Sequence, residues 1–155
     1  MAEGEVVFES HSVEQTLELG RRLGAALRPG MVVALVGTLG SGKTHFVKGV
    51  ARGNGTPANV IVNSPTFVIV NEYPGRLELQ HIDAYRLHGA GELSDIGFEE
   101  MVAGEGAVLV EWADRVEEIL PDDHLHIDIE VVGETDRQFT FRATGPTAAE
   151  ILAAM

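Results

Sequence analysis

The sequence predicts an α/β fold with a mixed, partly parallel sheet and a C-terminal antiparallel hairpin. Three observations carry that expectation. "MVVALV", residues 31–36, is a Val-rich apolar run without alternation, as a strand buried on both faces of a parallel sheet requires. It runs directly into a glycine-rich stretch and then into a helical stripe. Near the other end, "HLHIDIEVV" and "RQFTFRAT" flank "GETD" as two strands around a turn.

Taken in order, residues 12–28 open with Ser12 and, three positions on, Gln15, a capping-box signature. Val13, Leu17, Leu19, Leu23 and Leu27 follow at near-helical spacing, and Pro29-Gly30 ends the helix. After the buried strand, Phe46, Val47, Val50 and Ala51 line one face of a second helix that starts at Lys43 and stops at "GNG", residues 53–55. "NVIVNSPTFVIVNEY" supplies strand-like material on both sides of Ser64-Pro65-Thr66, with the proline breaking any single ladder. "RLELQHIDAYRL" alternates, so an extended chain puts Leu77, Leu79, His81, Asp83 and Tyr85 on one face. "GELSDIGFEEMVAG" reads as a short helix with its loop, "AVLVEW" (107–112) as a second fully buried strand, "RVEEIL" as a short helix, and the tail from Thr147 as helical. His124, His126, Asp128 and Glu130 alternate with Leu125, Ile127, Ile129 and Val131, the pattern of a solvated outer face on a half-buried sheet.

Composition bounds the function. A chain of 155 residues with 45% hydrophobic content suits one domain, residues 1–155, burying roughly 70% of its extended surface. The acidic start lacks a basic, apolar leader and no apolar run approaches the ~20 residues of a membrane span, so a cytoplasmic protein is expected. Zero Cys excludes disulfides, thiolate metal sites and Cys nucleophiles. The net charge of -13, with basic residues scattered singly apart from Arg21 and Arg22, argues against direct nucleic-acid binding.

Gly37-x-x-x-x-Gly42-Lys43-Thr44 matches the phosphate-loop pattern G-x-x-x-x-G-K-[ST] without a mismatch, between a buried strand and an amphipathic helix. Backbone amides through Thr38, Leu39, Gly40, Ser41 and Gly42 would wrap a phosphate, with positive potential from the helix N-terminus. Lys43 is one of only two lysines among eleven basic residues. A compact ammonium on a flexible stem fits inside such a loop where a planar guanidinium would not. Thr44 offers a hydroxyl to Mg²⁺, and the expected architecture becomes a P-loop NTPase-like three-layer sandwich.

A phosphate loop needs an acid to complete the metal site, usually at the end of a neighbouring apolar strand. Glu111, after "AVLV", and Asp83, after "LQHI", both qualify. Thr66 stands either in a switch segment that reaches the γ-phosphate or in a plain loop. Trp112 either anchors the core or covers a bound nucleotide.

The stretches "TLELG", "GTLGSGKTHFVKG", "NSPTF", "HIDAYRL", "ELSDIGFEE" and "LVEWADRVEEILP", in this order, resemble the TsaE (YjeE) ATPases that assist bacterial synthesis of threonylcarbamoyladenosine on tRNA. The resemblance implies Mg-ATP as ligand, Thr44 and Glu111 at the metal, and Asp83 near the phosphates and needed for turnover. It also implies a TsaD-TsaB complex as partner, in which TsaD modifies adenosine 37 of tRNA and ATP hydrolysis resets the complex. The tRNA would then be met only through that partner, in keeping with the acidity. From the position of the first helix in the family, Ser12 and Thr16 are expected near the base.

Thr38 and His45 stand where the family commonly has Asp and a second Thr, so backbone phosphate contacts carry over and those two side-chain contacts do not. Two other readings compete: a small-molecule kinase, for which an arginine-rich lid is missing, and a nucleotide sensor that binds without hydrolysis.

Overall fold

The structure, a computed structural model, describes residues 4–37, 42–62, 70–85 and 87–155. Strands β1 (Glu5–Ser10), β2 (Val32–Gly37), β3 (Val70–Tyr73), β4 (Leu79–Asp83), β5 (Ala107–Glu111), β6 (Leu125–Val131) and β7 (Arg137–Ala143) form one seven-stranded sheet. Its order is β1-β7-β6-β2-β5-β4-β3. The centre, β6-β2-β5-β4, is parallel, and β3, β7 and β1 run antiparallel to their neighbours. The expected mixed sheet and C-terminal hairpin are both present.

Helices α1 (Val13–Ala26), α2 (Lys43–Gly53) and α5 (Pro146–Ala153) cover one face of the sheet. The other face carries α3 (Ala90–Asp95), α4 (Phe98–Ala103) and a 3₁₀ helix, Ala113–Ile119. The pleat of β2 serves both layers: Val33 and Leu35 enter the first core with Phe46, Phe139 and Phe141, while Val32 and Ala34 enter the second with Ile82, Phe98 and Val110. That double burial is why its sequence shows no alternation.

The α1 N-cap is as expected, with Gln15 N–H donating to Ser12 Oγ (3.1 Å). The reciprocal contact is displaced by one residue, because Gln15 Oε1 accepts from His11 N–H (2.7 Å).

Four elements differ from expectation. The first half of the Pro-containing region, residues 59–62, is not a strand; its backbone turns, with Val60 N–H donating to Pro57 O (3.0 Å). Of that stretch Val62 is buried in the core and Val60 packs partly against it, while Ile61 is 78% exposed. In place of the one short helix with its loop expected within 91–104 there are two short helices, separated where Gly97 adopts φ 91°. Edge strand β1 has no counterpart among the expected elements, since Val6 and Val7 are both exposed and leave no period to read. Finally, His126 is 9% exposed and bonded to Asp128 (3.3 Å), so the predicted solvated face is partly closed there.

A glycine seam fixes α2. A Cβ at Gly24 of α1 would lie 2.0 Å from Val50 O, and one at Gly49 of α2 would lie 2.2 Å from Leu17 O. Gly20 and Gly53 continue the seam with clearances of 2.3 and 2.0 Å to Phe46 O and Arg21 O. Each helix thus presents a small residue at i and i+4, and the two backbones touch. Gly24→Ala must push the helices apart, and we expect a loss of about 1–3 kcal/mol. Thermal denaturation of the purified variant should register a Tm lower by several degrees.

Candidate functional site

β2 ends at Gly37 and α2 begins at Lys43, capped by Gly42 in the left-handed region (φ 97°). Phe46 N–H donates to Gly42 O (3.0 Å), closing the first turn. Lys43 is only 7% exposed. Its Nζ donates to Gly37 O (2.7 Å) and lies 3.9 Å from the centre of the Trp112 ring. Thr44 is exposed in the same turn.

The two acids meet beside this helix start. In the parallel ladder Asp83 pairs with Glu111, and Glu111 with Leu35 of β2, so both carboxylates emerge at C-terminal strand ends, Glu111 on the strand beside β2 and Asp83 one strand further out. That edge of a parallel sheet is where α/β proteins place their ligands. Glu111 is 2% exposed and its Oε2 lies 2.5 Å from His81 Nε2. Asp83 Oδ1 accepts the Tyr85 N–H (2.9 Å).

Burial pushes the Asp83 carboxyl above its ordinary range, opposed by the Tyr85 N–H; the Glu111 charge adds to the rise, while His81 and Lys43 oppose it. Burial likewise lowers the Lys43 ammonium, and the charges of Glu111, Asp83 and Asp114 act against it. One cation is therefore shared among three acids in a partly desolvated corner.

Ser12 and Thr16 are placed in a different part of the same end. They line a cleft of about 330 Å³ with His11, Gly42, His45 and Arg137, so the first helix does face the start of α2. Both hydroxyls are engaged: Ser12 Oγ caps α1, and Thr16 lies 2.7 Å from Ser10 Oγ. Thr38, Leu39, Gly40, Ser41 and Thr66 lie outside the described residues.

Of the two roles left open for Trp112, the core contact is the one seen. It packs partly against the second core, and its ring also lies 4.9 Å from that of Tyr85. Its φ of 58° is the only positive value for a non-glycine among the described residues, and it turns the chain out of β5 into the 3₁₀ helix. Arg115 covers the outer face of Tyr85 at 5.0 Å. Sequence reading missed this Trp112-Tyr85-Arg115 stack, as well as Asp114 and the bond from His81 to Glu111. For His81 a signal existed, since it shares a strand face with Asp83.

The donors here are hard oxygens, the hydroxyl of Thr44 and the carboxylates of Glu111 and Asp83, which suit Mg²⁺ rather than a softer metal. Among the described residues no group of three or more His, Asp or Glu is arranged to hold a metal alone. An ion held by one or two protein oxygens and by substrate phosphates fits that set.

Comparison with known proteins decides the family. The model of the family described as "Threonylcarbamoyl adenosine biosynthesis protein TsaE" matches residues 10–139. The chain is 45% identical over 133 residues to the tRNA threonylcarbamoyladenosine biosynthesis protein TsaE of Bacillus subtilis, covering 85% of this chain and 82% of that one. The chain belongs to the TsaE family. The TsaE of Treponema pallidum is 40% identical over 131 residues, covering 84% of this chain and 96% of the relative. The TsaE-like fold is matched as well by the crystal structure of Bacillus subtilis YdiB, with a TM-score of 0.83, 36% identity and coverage of 96% and 92% of the two chains.

The raised Asp83 carboxyl has a thermodynamic consequence. A folded-state value above the unfolded one costs stability at neutral pH, and the cost disappears once the pH falls below the unfolded value of roughly 3.8. Asp83→Asn keeps an oxygen for the Tyr85 N–H and removes the charge. Its Tm should exceed that of the parent by about 1–3 °C at pH 7, with the difference shrinking as the pH is lowered. Melting curves across pH check this.

Proposed function

We propose that this chain is a single P-loop ATPase domain, residues 1–155, that binds Mg-ATP and supports threonylcarbamoyladenosine synthesis on tRNA by resetting a TsaD-TsaB-like complex in the cytoplasm. The observation that carries the reading is the convergence of Lys43, Glu111 and Asp83 at the C-terminal edge of β2, β5 and β4. Family membership supports the pathway, and no described helix is long and apolar enough to cross a membrane.

In this reading the loop amides from Thr38 to Gly42 cradle the phosphates. Lys43, which already points a donor across its own loop to Gly37 O, gives its remaining donors to the β- and γ-phosphates. Thr44 and Glu111 hold Mg²⁺, which when bound neutralises charge on the phosphates. Asp83 orients the attacking water and takes its proton, a role suited to a carboxyl lifted above the ordinary range. Trp112, over Lys43, covers the phosphate end, Thr66 takes the switch role toward the γ-phosphate, and Ser12, Thr16 and His45 line the cleft offered to the base. The net charge of -13 leaves the tRNA to the partner complex.

Slow turnover alone, stimulated by the partner, is the expected kinetic behaviour. Lys43→Ala should weaken ATP binding by about 10- to 100-fold, the equivalent of one charge-assisted hydrogen bond, as read by calorimetry. Asp83→Asn should keep ATP affinity and lower partner-stimulated hydrolysis by about 100-fold or more. Because the active form of Asp83 is deprotonated, hydrolysis should fall as pH drops through a value above the usual carboxylate range. The deciding assay is multiple-turnover threonylcarbamoyl-tRNA synthesis by TsaC, TsaB and TsaD with the parent protein or Glu111→Ala added. Product beyond one turnover per complex with the parent alone supports the reading. No stimulation by either protein, with ATP still bound, returns the choice to a kinase or a sensor.

A further inference from the structure

Behind Glu111 lies a chain of buried polar groups for which the nucleotide reading has no use. His81 is fully buried, and Tyr73 and Glu111 are each 2% exposed. The Tyr73 hydroxyl is 3.0 Å from His81 Nδ1, and His81 Nε2 is 2.5 Å from Glu111 Oε2. Asn71 Nδ2 donates to the Tyr73 hydroxyl at 3.5 Å. One assignment of hydrogens satisfies all of these contacts: Tyr73 O–H donates to Nδ1, and Nε2–H donates to the carboxylate. Every donor in the chain then points toward Glu111.

Sheet register builds this arrangement. Antiparallel pairing sets Asn71 opposite His81 and Tyr73 opposite Leu79, and parallel pairing sets His81 opposite Leu109, two residues before Glu111. Three strands therefore contribute to a fixed line, Asn71 and Tyr73 from β3, His81 from β4 and Glu111 from β5, with the imidazole and phenol also packed ring to ring at 5.8 Å. A glutamate side chain has several rotatable bonds, and a short N–H contact from a rigid, fully buried ring selects one rotamer among them.

We propose that His81, backed by Tyr73, is a positioning residue that fixes the Glu111 carboxylate for the divalent cation accompanying the nucleotide. This inference rests on the nucleotide reading above. A solely structural role for the chain would lower stability when it is cut and leave cation binding untouched, which separates the two possibilities.

The test uses the full-length protein and Mn²⁺ as the probe. Mn²⁺ affinity of the ATP-loaded protein is read by electron paramagnetic resonance, nucleotide affinity is read separately in EDTA, and melting curves confirm folding. His81→Ala should weaken Mn²⁺ binding by about 10- to 100-fold and Tyr73→Phe by about 3-fold or more, with nucleotide affinity in EDTA unchanged. His81→Gln, which restores an N–H donor, should recover part of the loss. Should His81→Ala fail to fold, Tyr73→Phe carries the test alone, since it keeps the packed ring and removes one hydroxyl. Variants that bind Mn²⁺ within twofold of the parent, whatever their Tm, would overturn the proposal. A parent protein that shows no cation-dependent nucleotide binding would instead overturn the reading beneath it, and this inference with it.

Discussion

The fold tolerates a buried ammonium and a buried carboxylate because it places them together. Lys43 at 7% exposure and Glu111 at 2% would each be costly alone, since an ion removed from water regains its solvation only from partners. Here each charge is felt by the other, Asp83 and Asp114 add to the field on Lys43, and His81 and Gly37 O supply hydrogen bonds. That mutual compensation requires β2, β5 and β4 to lie side by side and in parallel. Strand order is thus the premise of the site, and the same order brings loop, helix start and acids to one edge.

Precision at that edge comes from rigid neighbours on both faces. On one, α2 is pressed backbone to backbone against α1 along the glycine seam, so the residues at its N-terminus cannot drift without opening the seam. On the other, Trp112 leaves β5 through a left-handed turn that sends its ring over Lys43. A bulky residue in that conformation is unfavourable by itself, and it is held here by packing against the second core and against Tyr85. Strain and close packing both serve the corner where charge is concentrated.

The surrounding charge gives this corner a second meaning. A chain with a net charge of -13 repels polyanions at long range, yet its one heavily buried lysine stands at the mouth of a glycine loop. Any attraction for an anion is therefore local, centred on Lys43 and the start of α2. A long nucleic-acid backbone would meet mostly repulsion, whereas a compact ligand reaching the loop would not.

Sequence alone determined what depends on neighbours along the chain. The spacing from Gly37 to Thr44, the buried-strand runs 31–36 and 107–112, the N-cap at Ser12 and the hairpin around 133–136 are written in local periodicity and turn chemistry. Asp83 and Glu111 were legible as acids at strand ends for the same reason. Tertiary structure alone decided which of them is sealed from water, that they face each other across one ladder, and that His81 stands behind the buried one. It also decided that two small-residue pairs on separate helices meet, that residues 59–62 turn instead of pairing, and that Glu5–Ser10 adds an edge strand. Each of these depends on register between segments distant in the chain. Periodicity reports which face of a segment seeks burial, but not which partner will bury it.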